Sequence, residues 1–323
     1  MAAKPPFDNV VYFVSTIRYY SAMDRDLLSH LPIILAVARR KSFVTAAAEL
    51  GMGASAVSHS VRLVEERLGV PLFARTTRSV ALTEAGSALV ASAAPALQDI
   101  TERVERIRSV KGRVTGHLRL NVPRLALAMM MTPVVREMAR RFADVTVEIC
   151  ADDAITNIVE EGFDAGIRLG EMIAGDMIAV RLTPPFQAIV VASPEYLSER
   201  GRPKTIGELK NHNCIAYRLI KSGALYRWQL RDGGREVEID AAGHTIINDP
   251  MYARDLALAG VGLAFVMEPV VRADIAAGRL TQVLPKATNE WPGLFLYYPD
   301  RASMAPKLRA FIDTARDVAR KTP

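Results

Sequence analysis

The chain has 323 residues, more than one compact domain of ordinary size, and half of them are hydrophobic, which excludes a disordered or fibrous protein. A net charge of +6 and a pI of about 9.4 permit contact with nucleic acid or an anionic surface without requiring either. The cysteine content, Cys150 and Cys214 alone, excludes a disulfide framework; both read as small buried residues in strands, with a redox pair as the alternative.

Residues 1–22 read as a flexible extension ahead of the first clear helical pattern, or as an alternative upstream start. Their apolar stretch, Val10 to Ile17, has no positive cluster before it and no cleavage site after it, and no run in the chain reaches the roughly 18 apolar residues of a spanning helix. A cytoplasmic protein with no membrane partner is therefore expected. From Asp24 to Arg40, Leu27, Leu28, Leu31, Ile34 and Leu35 recur at the three-four spacing of an amphipathic helix. Ser42 caps a second helix, Phe43 to Leu50, which Gly51 ends. Met52, Gly53 and Ala54 make a turn. A third helix runs from Ser55 to Leu68 with Val57, Val61, Val64 and Leu68 as its buried stripe, and Gly69 stops it.

Two helices joined by a tight glycine turn, with the small Ala46 and Ala47 where they touch, fit a helix-turn-helix whose second helix enters the major groove. A plain helical hairpin shares parts of this pattern. Next, Leu72-Phe73 and Val80 to Leu82 flank a basic tip. This predicts a small hairpin, or wing, whose Arg75 and Arg78 reach phosphates or the minor groove, or else stay solvated. A long helix follows Thr83. From Ala93 its apolar residues Leu97, Ile100, Val104 and Ile107 alternate steps of four and three, a heptad seam that calls for a second copy or for packing on the chain's own next domain.

From about Thr115 strand-like runs alternate with helices. Strands are expected at His117–Val122, Val145–Cys150, Asp164–Arg168, Ala188–Ala192, Cys214–Tyr217, Gly262–Val266 and Leu294–Tyr298, with helices at Leu125–Arg141 and Ile155–Glu161. The alternation predicts an α/β domain of two small lobes with largely parallel sheets, binding its ligand outside the carboxyl ends of strands.

Ser42 to Gly51, Ala56-Val57-Ser58, Val64 to Arg78 and Leu82 to Gly86 are collinear with, and closely resemble, the N-terminal domain of LysR-type transcriptional regulators. Gly116 to Pro123, Glu161 to Gly170 and Gly260 to Ala264 resemble the same family's effector domain, of periplasmic-binding-protein type II fold. The resemblance implies a winged helix-turn-helix at 23–86, a linker and dimerisation helix at 87–113, and an effector domain at 114–323. It implies a regulator, not an enzyme, bound to double-stranded operator DNA as a homodimer or homotetramer, with RNA polymerase as a further partner. No cofactor is expected beyond a small-molecule effector between the lobes, and effector binding would change the spacing of paired DNA-binding domains.

Carried onto this chain, the DNA contacts fall at Ser42, Thr45, Gly53, Ala54, Ser55, Ser58, His59, Arg62, Arg75, Thr76, Thr77 and Arg78. His59 is alternatively a plain surface residue. The effector contacts fall at Pro123, Arg124, Arg168, Ser193, Asn248, Asp249 and Phe265, and the two arginines suggest an anionic effector unless Arg168 pairs internally with an acid such as Glu171. The chain departs from the family at Lys41, a frequent glycine; at Gly53, a frequent Ser or Thr, which shifts capping to Ser55; and at Ala54, a frequent glutamine. No metal cluster, nucleophile elbow or phosphate-binding loop supports an enzyme. A transport solute-binding protein would match the C-terminal half but would leave the helix-turn-helix unexplained.

Overall fold

The computed structural model describes residues 25–75, 80–109, 113–173, 175, 177–299 and 304–321. Residues 1–22 and the wing tip Thr76, Thr77 and Arg78 lie outside them. Contacts divide the chain into two compact units, Met1–Thr101 with Val159–Gly162, and Glu102–Ile158 with Phe163–Pro323.

In the first unit, α1 (Arg25–Arg40), α2 (Phe43–Leu50) and α3 (Ala54–Leu68) are followed by strands β1 (Phe73–Arg75) and β2 (Val80–Leu82), and then by α4 (Glu84–Ser109), within which the division at Thr101 falls. Ile34, Val37, Ala46, Ala47, Val57, Val61, Val64, Leu72 and Phe73 form one buried core. Ala46 and Ala47 are buried as expected, and their size lets α2 approach its neighbours closely. Ser42 Oγ accepts from the Thr45 amide at 3.3 Å and starts α2, while Gly51 ends it in the left-handed region at φ 63°. β1 and β2 pair antiparallel, with Phe73 opposite Leu82, which makes the expected wing.

Two expectations fail here, and Lys41 carries an unusual backbone. Leu68 is exposed rather than part of the buried stripe, because the helix is in its last turn there and Gly69 turns the chain away at φ 70°. Ser55 does not cap α3: the helix begins one residue earlier, with Gly53 as a cap that offers no side-chain acceptor. Lys41, where the family often has glycine, adopts φ 49°, a left-handed conformation that costs a side-chain-bearing residue about 1–2 kcal/mol.

The second unit holds two sheets. The first is built from β3 (Gly116–Val122), β4 (Val145–Ala151), β5 (Ala165–Leu169), β6 (Met177–Arg181) and β15 (Leu294–Pro299), in the order β4-β3-β5-β15-β6. Between β3 and β4 run a single helical turn, a π-helical turn at Leu127–Met131 and α5 (Thr132–Arg141). The second sheet is centred on β7 (Phe186–Ala192), which pairs with β12 (Ala264–Met267), β13 (Thr281–Val283) and β14 (Asn289–Trp291). Around it lie α6 (Pro194–Arg200), the short parallel pair β8 (Ala216–Tyr217) and β11 (Ile246–Ile247), the hairpin β9 (Trp228–Asp232) and β10 (Arg235–Ile239), α7 (Pro250–Leu258) and α8 (Glu268–Ala276). The last helix, α9 (Pro306–Lys321), packs back on the first sheet through Leu308, Phe311, Ile312 and Ala315.

The two lobes are as expected, but the sheets are not largely parallel. Only the β3–β4 and β3–β5 pairings in them are parallel, and β7 meets all three partners antiparallel. The chain leaves the first sheet after β6 and returns to it as β15, and this return strand runs against β5 and β6. At the crossing Leu182 donates to the Leu294 carbonyl at 2.8 Å, and Thr183 Oγ1 accepts from the Leu294 amide at 2.9 Å, so the two connections lie side by side. Ile155–Glu161 is turn rather than helix, and the arginine fork of Arg168 holds the carbonyl of Ala154 at its start. Cys214 is buried as expected, and burial pushes its thiol up to about 12. Cys150, by contrast, is exposed near the end of β4 on the sheet's edge.

Candidate functional site

On α3, Val57, Val61 and Val64 point into the core, while Ala54, Ser55, His59 and Arg62 are exposed on the opposite side and Ser58 is half-buried between them. A 3.6-residue period with the valines on one side leaves a largely polar face, with His59 and Arg62 on it, free to enter a groove. Arg62 lies 3.4 Å from His59 Nδ1 and 3.8 Å from Glu66; in solvent these contacts are weak and exchange readily for a phosphate or a base edge. Thr45 is exposed on the neighbouring α2, beside the capping Ser42. Glu65 Oε1 accepts from the amides of Leu72 and Phe73, at 2.8 and 3.1 Å, and thereby ties the helix to the first wing strand. Sequence reasoning missed this acceptor. Arg75 ends β1, at the base of the tip.

In the second unit, four of the seven expected effector residues lie at strand ends around one ion cluster. Arg124 follows β3 after Pro123. Its guanidinium donates to Asp153 Oδ2 at 2.8 Å, its backbone N–H donates to Asp153 Oδ1 at 2.8 Å, and its Nε lies 3.5 Å from Asp249 Oδ2. Asp249 caps α7 by accepting from the Met251 amide, and Asn248 is exposed beside it. The Arg124–Asp249 pair therefore spans the two lobes. Tyr217 is near enough to feel Asp153, Asp249 and Arg124, and burial raises its hydroxyl above the ordinary tyrosine value. Asp153 and Tyr217 were not expected; Asp153 was findable, since it follows β4 as Arg124 follows β3.

Arg168 is placed differently. It is 2% exposed and donates to Asn121 Oδ1 and to the carbonyls of Ile167, Asp152 and Ala154; among the described residues none of these side-chain partners is an acid, and the side chain of Glu171 lies outside them. Burial lowers its pKa. The arginine thus props the loop that presents Asp153 to Arg124. Ser193 and Phe265 are also engaged elsewhere. The first caps α6 and faces Gly260; the second stacks on Trp228 at 5.7 Å and on Tyr226 at 6.4 Å.

The model of the bacterial regulatory helix-turn-helix protein, lysR family, matches residues 28–87, and that of the LysR substrate binding domain matches 111–320. The chain belongs to the LysR family. It is a LysR-type DNA-binding transcriptional regulator with an effector-binding domain, not an enzyme. Among its relatives are two HTH-type transcriptional regulators of Escherichia coli K12. YcaN, itself uncharacterized, is 38% identical over 88% of this chain and 93% of its own length; PgrR is 37% identical over 90% and 97%. The solved LysR-type regulator CrgA of Neisseria meningitidis superposes with a TM-score of 0.58 at 28% identity, covering 90% of this chain and 97% of CrgA. A solved full-length variant of AphB, at TM-score 0.67 and 23% identity over 90% and 98%, shares the fold. Among the described residues no helix of this LysR-type chain is long and apolar enough to cross a membrane.

Proposed function

We propose that the regulator reads its operator with the exposed face of α3, using Ala54, Ser55, Ser58, His59 and Arg62, while Ser42, Thr45 and Gly53 approach the backbone and Arg75 to Arg78 of the wing follow the adjacent groove. The single observation that supports this most is the clean division of α3 into a buried valine stripe and an exposed polar side. Its site of action is then the cytoplasm, and its domains run 23–86, 87–113 and 114–323. Two copies join through α4, whose seam residues Ile100, Val104 and Ile107 are exposed, with Ile107 at 73%. The dimer or tetramer so formed meets RNA polymerase at the promoter.

The effector binds between the lobes at Pro123, Arg124, Asn248 and Asp249, with Arg168 holding the loop beneath. It bears a carboxylate that takes the place of Asp249 on Arg124, because that contact, at 3.5 Å, is the longer of the two that Arg124 makes. Exchange of a cross-lobe pair for a ligand couples occupancy to the angle between lobes. The solved LysG of Corynebacterium glutamicum was captured with the effector Arg bound and shares the fold at TM-score 0.56 and 18% identity over 89% and 97% of the two chains.

The test is retention of DNA from upstream of the gene and its divergent neighbour, across a salt series with random DNA as competitor. Specific retention that falls with salt, and that drops when Ser58 and Arg62 are replaced by alanine, is the expected result. A doubly substituted protein that still prefers operator over random DNA as strongly as the parent removes α3 as the reader.

A further inference from the structure

A cavity of about 460 Å³ opens in the lobe built on β7; it shares no lining residue with the cluster at Arg124 and is lined in part by Arg200, Lys210, His212 and His244. The lining is polar and its charge is unbalanced. Arg200 comes from the last turn of α6, and Lys210 from the 3₁₀ turn Ile206–Asn211. Neither forms an ion pair with a described residue, whereas Arg227, Arg254, Arg272 and Arg279 of the same lobe each bond a carboxylate. Glu199 is the acid among the residues lining the cavity, and it pairs with neither cation.

The walls are held in place. Asn213 donates from Nδ2 to the Val261 carbonyl at 2.7 Å and accepts from the His244 amide at Oδ1, also at 2.7 Å, so one side chain fixes both loops. Tyr196 Oη accepts from the Asn213 amide at 2.9 Å and lies 3.3 Å from His212 Nδ1. With Nδ1 occupied, Nε2 is the remaining polar atom of that ring. Gly243, which lines the cavity, passes so close to Cys214 that a Cβ there would sit 2.2 Å from its carbonyl oxygen, so that stretch of the wall carries no side chain. A preformed hollow with two unpaired cations and two imidazoles is a receptor for negative charge.

We propose that this cavity is a second ligand site of the regulator, independent of the effector reading above, and that it takes an oxyanion, a phosphate or carboxylate group held by Arg200 and Lys210 with His212 and His244 as further donors. The test is calorimetric titration of the full-length protein at fixed ionic strength with inorganic phosphate and, separately, with acetate, in the wild type, in the double variant Arg200→Ala/Lys210→Ala, and in Arg124→Ala. Saturable binding of at least one anion is expected, and a binding component that weakens roughly tenfold or more in the double variant persists in Arg124→Ala, whose loss touches only a carboxylate bound at the effector site. The anion that binds tells phosphate from carboxylate. Both substituted side chains are exposed, so the double variant keeps its melting temperature. Absence of saturation with both anions overturns the proposal, as does a double variant that binds both anions as tightly as the wild type, or binding that vanishes entirely in Arg124→Ala.

Discussion

Glu65 Oε1 lies 2.8 Å from the Leu72 amide, so a carboxylate on the third helix accepts the first free N–H of the wing. The same oxygen takes the Phe73 amide, and the pair sets the angle at which wing and recognition helix meet. Glu65→Ala leaves two amides unpaired, that of Leu72 in a residue only 1% exposed. A loss of about 1–3 kcal/mol is expected in urea unfolding, with weaker operator retention. A variant as stable as the parent removes this tie from the account.

Two backbone positions in the same domain are expected to respond in opposite directions. A Cβ at Gly86 would stand 2.1 Å from the Leu72 carbonyl oxygen, so Gly86→Ala destabilises by about 1–3 kcal/mol or more through overpacking against backbone. Lys41 sits at φ 49°, so Lys41→Gly relieves a left-handed side chain and leaves the domain as stable or up to about 1 kcal/mol more so. Thermal melts of the two variants check the signs.

Asp274 on α8 is buried and accepts from Arg254 Nε at 2.6 Å and from Arg279 at 2.5 Å. Asp274→Asn leaves two partly hydrated guanidinium groups facing a neutral amide and costs roughly 1–3 kcal/mol. The hydrogen bond from Arg254 holds the carboxyl below its ordinary range, followed by that from Arg279. A depressed folded-state pKa gives stability that is present above the unfolded carboxylate value and lost as pH falls through the folded one. The wild-type melting temperature should therefore drop on acidification in that window by more than that of the asparagine variant.

Ile100 and Ile107 are 56% and 73% exposed on α4, and a lysine or glutamate there stays hydrated in a single chain but not in a coiled-coil seam. Ile100→Glu with Ile107→Glu is expected to shift sedimentation toward the monomer and to weaken retention of a two-half-site operator roughly tenfold or more, since the two half-sites are then bound separately. An unchanged sedimentation coefficient assigns the subunit contact to another surface.

Arg124 and Arg168 separate a ligand contact from a prop. Arg124→Ala removes a part-buried pair with Asp153 and an exposed one with Asp249 while keeping the backbone bond to Asp153, so about 1–2 kcal/mol of stability is lost and the response of DNA binding to effector is blunted. Arg168→Ala strips hydrogen bonds from Asn121 and three carbonyls, so it lowers the melting temperature by the equivalent of about 2–5 kcal/mol. Full effector response in Arg124→Ala removes that residue from the site.

Much of the N-terminal unit was legible in order along the chain, because its signals are local. Ser42 caps, Gly51 and Gly69 stop helices in the left-handed region, and the valines of α3 mark its buried face by spacing alone. The heptad spacing of α4 was equally plain in the sequence, and its members Ile100, Val104 and Ile107 are exposed. Local signals misled at Ser55, where a hydroxyl one residue inside the helix passed for the cap, and at Leu68, where a stripe outran the helix's contact with the core.

What tertiary structure decided was the direction of β15, the fate of Ile155–Glu161, and the roles of the two arginines. A return strand has the same alternation whether it runs with or against its neighbours, so chain order could not disclose that β15 lies antiparallel between β5 and β6. Arg168 and Arg124 look alike in sequence, each at or near the end of a strand. One is turned inward by its register opposite Phe295 and the other outward toward Asp249, and only the packing of distant segments makes the first a strut and the second a contact across the lobes.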